Sequence, residues 1–254
     1  MPNVSVNFID MQQSLICILD ILGTKGIWTE KSMDKYFEAI VETEELLKKA
    51  KEYFETTHKG IPVEIDFISF SDTLVITLIK KEKDEEKDPY LFHSSIEGFS
   101  QLILGIFQIY FSYSFFLRGA ISFGEMEKRG NHFIGPAVDD AAEYFELPDM
   151  MGVSLTPKAS IAMDYAIEWH EKYFQKNICN FLVKYKTPLK NKSELELYQI
   201  DWVKHFFEEA KKTGNISAEA RLSSYFSERN IPFLATSKYT NSLKFFNEIG
   251  KNYR

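Results

Sequence analysis

The stretch VEIDFISFSDTLVITLI, residues 63–79, holds two runs of β-branched and aromatic residues separated by Ser71 and Asp72. Runs of this composition on either side of a short polar pair are typical of a β-hairpin. The sequence therefore predicts two antiparallel strands with Ser71 and Asp72 in the tight turn between them. The arrangement of the elements around this hairpin decides the fold.

A strand and a helix are predicted on each side of the hairpin. Residues 14–22 form a continuous apolar run, and residues 31–58 carry apolar side chains at helical spacing between charged ones. After the hairpin, residues 90–113 read as a second helix and FFLRGAISFG, residues 115–124, as a strand. The order β-α-β-β-α-β is the split βαβ pattern, so we expect an α+β protein with a ferredoxin-like core.

Further strands and helices are predicted after this core. The stretch EMEKRGNHFIG, residues 125–135, suggests a turn and a strand, and PAVDDAAEYFEL suggests a short helix with Pro136 in its first turn. A strand over residues 152–157 and a helix over residues 157–174 follow, then two β runs, ICNFLVKYKTPL and LELYQIDW. The last 50 residues read as helical, and two of these segments close on Gly214 and Gly250. We expect residues 1–202 to form the main domain and residues 203–254 a helical extension packed on it.

Composition limits the classes of function. The chain has 254 residues with 22 Phe and 13 Tyr, enough for a sizeable core, and its formal charge of −7 disfavours general nucleic-acid binding. Cys17 and Cys179 lie in apolar runs and are interpreted as buried thiols of a reducing cytosol. The N-terminal residues lack the pattern of a signal peptide. The apolar stretch 102–117 falls short of the roughly 20 residues that span a membrane, so we expect a cytoplasmic protein without a membrane span.

Asp20 is a carboxylate at the end of the first predicted strand, in the stretch ILDILGTKG. An unpaired buried charge is unfavourable, so a carboxylate in this position usually has a partner. In a split βαβ fold the first strand lies beside the hairpin, which brings Asp72 toward Asp20. A divalent cation such as Mg²⁺ would relieve the repulsion between the two carboxylates and is commonly shared with substrate phosphates. The two aspartates therefore predict a metal site, although Asp72 alone would also suit an ordinary turn.

The turn that follows Asp20 offers candidate phosphate-binding groups. Its main-chain N–H groups, at Ile21, Leu22, Gly23 and Thr24, precede a helical region, where such groups commonly cradle a phosphate. Two cations that bridge a triphosphate would activate a hydroxyl and stabilise a leaving pyrophosphate. The sequence carries no His and Cys cluster with zinc spacing and no glycine motif for nucleotide phosphates.

Four motifs in this order, ILDILG, FSDTLVI, LRGAISFGE and GPAVDDAAEYFEL, resemble the class III nucleotide cyclase catalytic domain. The chain is most similar to the divergent bacterial cyclases of anti-phage signalling by cyclic UMP and cyclic CMP. The resemblance covers roughly residues 14–202. It implies a homodimer with active sites at the interface, two divalent cations, Mg²⁺ or Mn²⁺, and conversion of a nucleoside triphosphate to a 3′,5′-cyclic monophosphate.

The resemblance also implies roles for single residues. Asp20 and Asp72 match the two metal-binding aspartates, and the carbonyl of Ile21 would reach a metal. Arg118 matches the arginine of the strand after the second helix, where it is either a ligand or a structural ion-pair residue. Lys128 and Arg129 lie in a hairpin where such enzymes carry a phosphate-binding cation. The alternative for these two is a pair of solvated turn charges.

The sequence departs from the family pattern in three places. Ile68 and His132 occupy positions where purine cyclases carry a lysine and a carboxylate that read the base, which favours UTP or CTP. Because an imidazole both donates and accepts hydrogen bonds, His132 could contact a pyrimidine, or it is merely packed. The helix after Gly135 carries Asp139 and Glu143 in place of an asparagine and an arginine, and Glu143 cannot stabilise a transferring phosphate. Lys25, Lys128 and Arg129 are candidate substitutes.

Three interpretations of the function follow. The first is an active cyclase, most consistent with cyclic UMP or cyclic CMP as product. The second is a catalytically inactive cyclase-like module that binds a nucleotide or a partner. The third is a structural ferredoxin-like dimer without a nucleotide.

Overall fold

The computed structural model describes residues 12–22, 30–57, 63–80, 89–130, 132–174, 180–214, 217–227 and 235–254. Its strands are β1 (Gln12–Ile21), β2 (Val63–Phe70), β3 (Thr73–Lys80), β4 (Leu117–Arg129), β5 (His132–Ile134), β6 (Gly152–Leu155), β7 (Leu182–Pro188) and β8 (Glu194–Ile200). Its α-helices are α1 (Glu30–Thr57), α2 (Pro89–Ser112), α3 (Pro136–Tyr144), α4 (Pro157–Phe174), α5 (Trp202–Thr213), α6 (Ala218–Ser227) and α7 (Thr236–Ile249).

One mixed sheet organises these elements, with strand order β2-β3-β1-β4-β6-β8-β7 and with β5 paired to the end of β4. Its first four strands are all antiparallel and are joined through α1, the β2–β3 hairpin and α2. This is the ferredoxin-like arrangement, so the predicted α+β class and split βαβ core are confirmed. The strand β6 extends the sheet because it pairs in parallel with β4 after the crossover through α3.

The two faces of the sheet have different coverings because side chains alternate along a strand. Cys17 and Leu19 of β1 belong to the large core that includes apolar residues of α1, α2, α4 and α5. The neighbouring residues Ile16 and Ile18 belong to a smaller cluster with Ala137 and Ala141 of α3. Asp20 continues the second series, so its side chain is on the face that α3 covers.

The apolar stretch 102–117 is the end of α2 followed by a turn and the start of β4. Its side chains Phe107, Tyr110, Phe111 and Phe116 are buried in the core. The interpretation as a helix running into a strand is therefore confirmed. Among the helices that the structure describes, none has both the length and the apolar character required for a membrane crossing.

Cys17 is fully buried in β1 as a free thiol, as predicted. Burial raises the pKa of this thiol, since the thiolate would lack solvation there. The prediction for Cys179 falls outside the described residues.

Two local predictions differ from the structure. The turn expected near Glu125 is absent because β4 continues: Glu125 and Met126 still pair with β1, and Glu127–Arg129 pair with β5. Gly214 ends α5 in the left-handed conformation with φ 64°, as expected. Gly250 instead has φ −58° and continues into a 3₁₀ turn. It is needed for close packing, since a Cβ there would lie 2.8 Å from the ring of Phe207.

The C-terminal helices add an aromatic layer to the core. Trp202 of α5 stacks on Phe107 of α2 with a centroid distance of 5.9 Å, and on Phe246 of α7 at the same distance. Tyr239 of α7 meets Phe116 edge to face at 5.7 Å. Within the 203–254 extension, Phe246 is thus connected to α2 through Trp202, and Tyr239 contacts the residue before β4 directly.

Candidate functional site

The structure brings Asp20 and Asp72 to one end of the central strands. Asp20 pairs in register with Thr73, the residue after Asp72, and the N–H of Ile21 donates to the Asp72 carbonyl over 3.0 Å. The hairpin turn is held in place by Tyr36, whose hydroxyl donates to the Ser71 carbonyl over 2.7 Å. Ser71 has φ 57°, the left-handed conformation of a tight turn. The register and the turn together place the two aspartates side by side.

Arg118 is the direct partner of Asp20. These residues face each other across β1 and β4, and Nη2 of Arg118 lies 2.7 Å from Oδ2 of Asp20. The arginine side chain is only 3% exposed, and its Nη1 donates to the carbonyl of Glu146 over 3.1 Å. Of the two roles that the sequence left open for Arg118, the structure shows an ion pair.

The electrostatic environment of Asp20 is mixed. Burial raises the pKa of its carboxyl, and the hydrogen bond and charge of Arg118 act in the opposite direction. The charges of Asp72 and Glu146 raise the pKa further, and the net result is a raised value. Asp20 is thus a half-buried carboxylate that would gain from a second nearby cation.

The donors at this site suit a divalent cation that brings other ligands with it. Asp20 and Asp72 offer hard carboxylate oxygens, which Mg²⁺ and Mn²⁺ prefer, and Asp20 keeps 19% of its side chain exposed. No group of three or more His, Cys, Asp or Glu residues that could hold a metal is found within the described ranges. A cation here would therefore depend on water or phosphate oxygens to complete its coordination, as Mg²⁺ commonly does.

Part of the predicted phosphate cradle is contradicted. The N–H of Ile21 donates to Asp72, and the N–H of Leu22 donates to the carbonyl of Phe116 over 2.7 Å. Because both groups already hold the sheet together, neither is available to a phosphate. The other two members of the cradle, Gly23 and Thr24, fall outside the described residues, as does Lys25.

Lys128 has carboxylate partners of its own. Its Nζ lies 2.5 Å from Glu64 Oε1 and 2.7 Å from Asp66 Oδ1, both on β2. Burial lowers the pKa of this lysine, but the hydrogen bonds and charges of Asp66 and Glu64 outweigh that effect and raise it. Lys128 therefore fixes the end of β4 over β2, and a phosphate would have to displace these two carboxylates.

Arg129 and His132 lie opposite each other where β4 pairs with β5. Arg129 is 77% exposed and pairs with Glu127 over 2.6 Å, so it resembles the solvated charge of the alternative interpretation. His132 is also exposed. Both remain candidates for substrate contact only as predictions.

The remaining predicted residues lie on two elements. Ile68 of β2 pairs with Val75 of β3, and Val75 pairs with Ile18 of β1. Across the sheet, Ile68 is therefore level with Ile18, two residues before Asp20. Asp139 and Glu143 are exposed on α3. The two carboxylates on this face of the helix are therefore exposed to solvent.

Asp140, which the sequence analysis did not single out, anchors α3 to the sheet. Its Oδ2 accepts hydrogen bonds of 2.6 Å from the hydroxyls of Ser122 and Thr156. Both hydroxyl residues are buried, so α3 is fixed in position by a polar contact as well as by Ala137 and Ala141. The doubled aspartate of the VDDAA motif was the available signal, because neighbouring residues of a helix point about 100° apart and so face different surroundings.

Two cations near Arg118 were also missed. Lys190, in the β7–β8 turn, pairs with Glu146 over 2.9 Å and lowers the pKa of that carboxyl. Lys238 of α7 is half-buried and interacts electrostatically with Arg118 and Asp20. Both lie far along the chain from Asp20, so no local motif points to them.

The comparisons with known proteins concern the fold. No protein-family model matches the sequence, and no curated protein matches it. It is similar to the crystal structure of the catalytic core of a rhodopsin–guanylyl cyclase with converted specificity in complex with ATPαS, with 11% identity and a TM-score of 0.45 over 75% of this chain and 95% of that one.

Two further solved structures are similar at the same level. The non-canonical dimeric guanylyl cyclase domain of the RhoGC fusion protein from the aquatic fungus Blastocladiella emersonii has 10% identity and a TM-score of 0.45, over 75% of this chain and 96% of that one. The guanylyl cyclase Cya2 has 9% identity and a TM-score of 0.42, over 75% of this chain and 92% of that one. Likeness of this size does not establish a shared activity, which has to be argued from the site.

Proposed function

We propose that this protein is a metal-dependent nucleotide cyclase that converts a nucleoside triphosphate to a 3′,5′-cyclic monophosphate and pyrophosphate. The observation that carries the proposal is the position of Asp20 at the end of β1, next to Asp72 in the β2–β3 turn. Two adjacent carboxylates on a ferredoxin-like sheet suit divalent cations that also bind phosphates. The order of motifs in the sequence supports the same assignment.

In this proposal Asp20, Asp72 and the carbonyl of Ile21 hold two cations, Mg²⁺ or Mn²⁺. When bound, the cations would favour transfer of the ribose 3′-hydroxyl proton to water and would balance the charge of the leaving pyrophosphate. Arg118 keeps Asp20 in one orientation through the 2.7 Å contact to Oδ2, which leaves Oδ1 for a cation. The 3′-oxygen then attacks the α-phosphorus, and the bond to pyrophosphate breaks.

UTP and CTP are the favoured substrates. The half-buried Ile68 occupies the place of a base-reading lysine, and the exposed His132 occupies that of a carboxylate. A site without those two charged groups loses the contacts that select a purine. We propose a cytoplasmic homodimer with active sites at the interface and a role in anti-phage defence, on the strength of the sequence resemblance.

A second candidate function is a cyclase-like module that binds a nucleotide or a partner without turnover. The specific observation in its favour is that α3 presents Asp139 and Glu143 to solvent where a catalytic cation is expected. The pairing of Lys128 with Glu64 and Asp66 removes one substitute. The two candidates differ only in whether a product forms.

The test is to incubate the purified protein with each of the four nucleoside triphosphates and Mn²⁺ and to analyse the products by mass spectrometry. We expect a cyclic monophosphate from UTP or CTP with the wild type and with Glu196→Gln, an exposed position on β8. Asp72→Asn should lower the product at least a hundredfold. Nucleotide binding without any cyclic product would favour the second candidate. Absence of both binding and product would contradict the cyclase and would leave, of the second candidate, only a module that binds a partner.

A further inference from the structure

The first turn of α7 contacts the chain just before β4. Tyr239 packs edge to face on Phe116, with ring centroids 5.7 Å apart. The carbonyl of Phe116 accepts the hydrogen bond from Leu22, two residues after Asp20. The C-terminal helix is thus connected through one aromatic contact to the strand end that carries the candidate metal ligand.

A second set of contacts fixes the next turn of α7. Asn241 donates to the carbonyl of Asp149 over 2.9 Å, and the N–H of Met151 donates to the hydroxyl of Ser242 over 2.8 Å. Asp149 and Met151 lie in the three residues before Gly152, which pairs in register with Arg118. The helix therefore runs along the loop beside Arg118, and its position is determined by hydrogen bonds.

Lys238 lies in the anchored turn of α7, next to Tyr239. Its side chain is half-buried, and no ion pair of Lys238 is found among the residues that the structure describes. Burial lowers its pKa, and the charges of Arg118 and Lys190 lower it further, against the opposing charges of Asp20 and Asp149. Lys238 precedes Tyr239, which contacts Phe116, and the residues that follow Tyr239 hold the loop before Gly152, the partner of Arg118.

Near Arg118, the positive side chains differ in whether a carboxylate pairs with them. Arg118 is neutralised by Asp20, and Lys190 by Glu146, over 2.7 and 2.9 Å. Lys238 adds a third positive charge that no carboxylate of the described residues contacts directly. A partly desolvated ammonium group beside a candidate metal site is suited to bind an anion, since it loses little further solvation on doing so.

We propose that Lys238 binds the phosphate groups of the substrate at the Asp20–Asp72 site and supplies the positive charge that α3 lacks. This inference rests on the proposed function and adds a residue to it. Lysine suits the task because its flexible stem lets a point charge follow a polyphosphate. The C-terminal extension would in that case complete the active site.

The experiment measures the binding of inorganic triphosphate, with Mn²⁺ present, by isothermal titration calorimetry, and of UTP and CTP in parallel. The variants are Lys238→Gln and Lys238→Arg, with Lys244→Gln, an exposed position on the same helix, as the matched control. Circular dichroism and thermal unfolding verify that the variants fold. We expect Lys238→Gln to weaken triphosphate binding about tenfold to a hundredfold, the range of a lost charge-assisted hydrogen bond. Lys238→Arg and Lys244→Gln should stay within about threefold of the wild type.

The outcomes separate this inference from the proposed function. If triphosphate binding depends on Lys238 but no nucleotide is cyclised, the phosphate role stands and the cyclase proposal fails. If the wild type cyclises nucleotides and Lys238→Gln does so with unchanged affinity for triphosphate, the role of Lys238 is overturned while the cyclase stands. If the wild type binds no triphosphate, the role of Lys238 is overturned as well.

Discussion

At the scale of single residues, Asp20 connects the fold to the candidate chemistry. Its backbone belongs to the central strand of the sheet, its side chain pairs with the buried Arg118, and Asp72 lies beside it. The sequence allowed the two aspartates to be selected because Asp20 ends an apolar strand and Asp72 lies in the turn of the neighbouring hairpin. It left the role of Arg118 open, because the same residue type serves as a phosphate ligand or as a buried ion-pair partner.

Removal of the Arg118 charge should be strongly destabilising. Arg118→Met keeps most of the bulk but leaves Asp20 half-buried beside Asp72 without its counter-ion. Loss of one partner from a buried pair typically lowers the free energy of unfolding by about 3–5 kcal/mol. Urea unfolding would measure the change. Arg129→Met removes an exposed pair, where the change should stay below about 1 kcal/mol, and equal losses in the two variants would contradict the assignment.

The half-buried His205 on α5 should make stability depend on pH. Burial lowers the pKa of His205 below its ordinary value of 6.5, although the charges of Glu208 and Glu209 oppose this. As the pH falls, His205 of the unfolded chain therefore binds a proton before His205 of the folded chain does. The stabilisation that is present above pH 6.5 is lost as the pH falls through the lowered pKa of the folded state.

The measurement is the free energy of unfolding between pH 7.5 and pH 5. The wild type should lose stability over this interval, and His205→Gln should lose measurably less. The exposed His132→Gln serves as the control and should keep the wild-type slope. A His205→Gln variant with the same slope as the wild type would show that other groups cause the dependence.

At the scale of secondary-structure elements, α3 is a helix whose attachment to the sheet bears on the candidate site. The sequence predicted α3 from Pro136 and the helical spacing after it, and the structure confirms that helix. It did not predict how α3 is attached, since the contacts of Asp140 with Ser122 and Thr156 join residues 16 to 18 positions apart. Pattern analysis detects periodicity within an element and is insensitive to contacts of this kind.

The entry into α3 depends on a glycine at position 135. Gly135 has φ 136°, and a Cβ there would lie 2.7 Å from the carbonyl oxygen of Glu125. Gly135→Ala should therefore displace α3 and lower the free energy of unfolding by about 2–4 kcal/mol, because steric overlap adds to the backbone strain. Gly214, with φ 64° and no atom within 4 Å of a Cβ, is the matched control.

For Gly214→Ala the expected loss is about 1 kcal/mol, from the left-handed conformation alone. Thermal and urea unfolding of both variants would provide the comparison. A smaller loss for Gly135→Ala than for Gly214→Ala would mean that the β4 backbone yields easily at this point and that α3 is not fixed by its entry.

At the scale of the whole molecule, the ferredoxin-like core could be predicted because its hydrophobic patterns are local and its element order is distinctive. The strand order of the first four strands followed from the topology alone. The position of α7 could not be predicted, since it depends on contacts such as Tyr239 with Phe116 between residues more than 100 positions apart. The part of the candidate site contributed by Lys238 was therefore not visible in the sequence.

The central claim is that Asp20 and Asp72 together hold a divalent cation for a nucleoside triphosphate. Its most direct test is a crystal structure with Mn²⁺ and a non-hydrolysable UTP analogue, with the metal located by its anomalous scattering. We predict a Mn²⁺ peak within about 2.3 Å of a carboxylate oxygen of each aspartate, with phosphate oxygens completing the coordination. Mn²⁺ and the nucleotide bound elsewhere, with Asp20 still contacting Arg118 alone, would contradict the account.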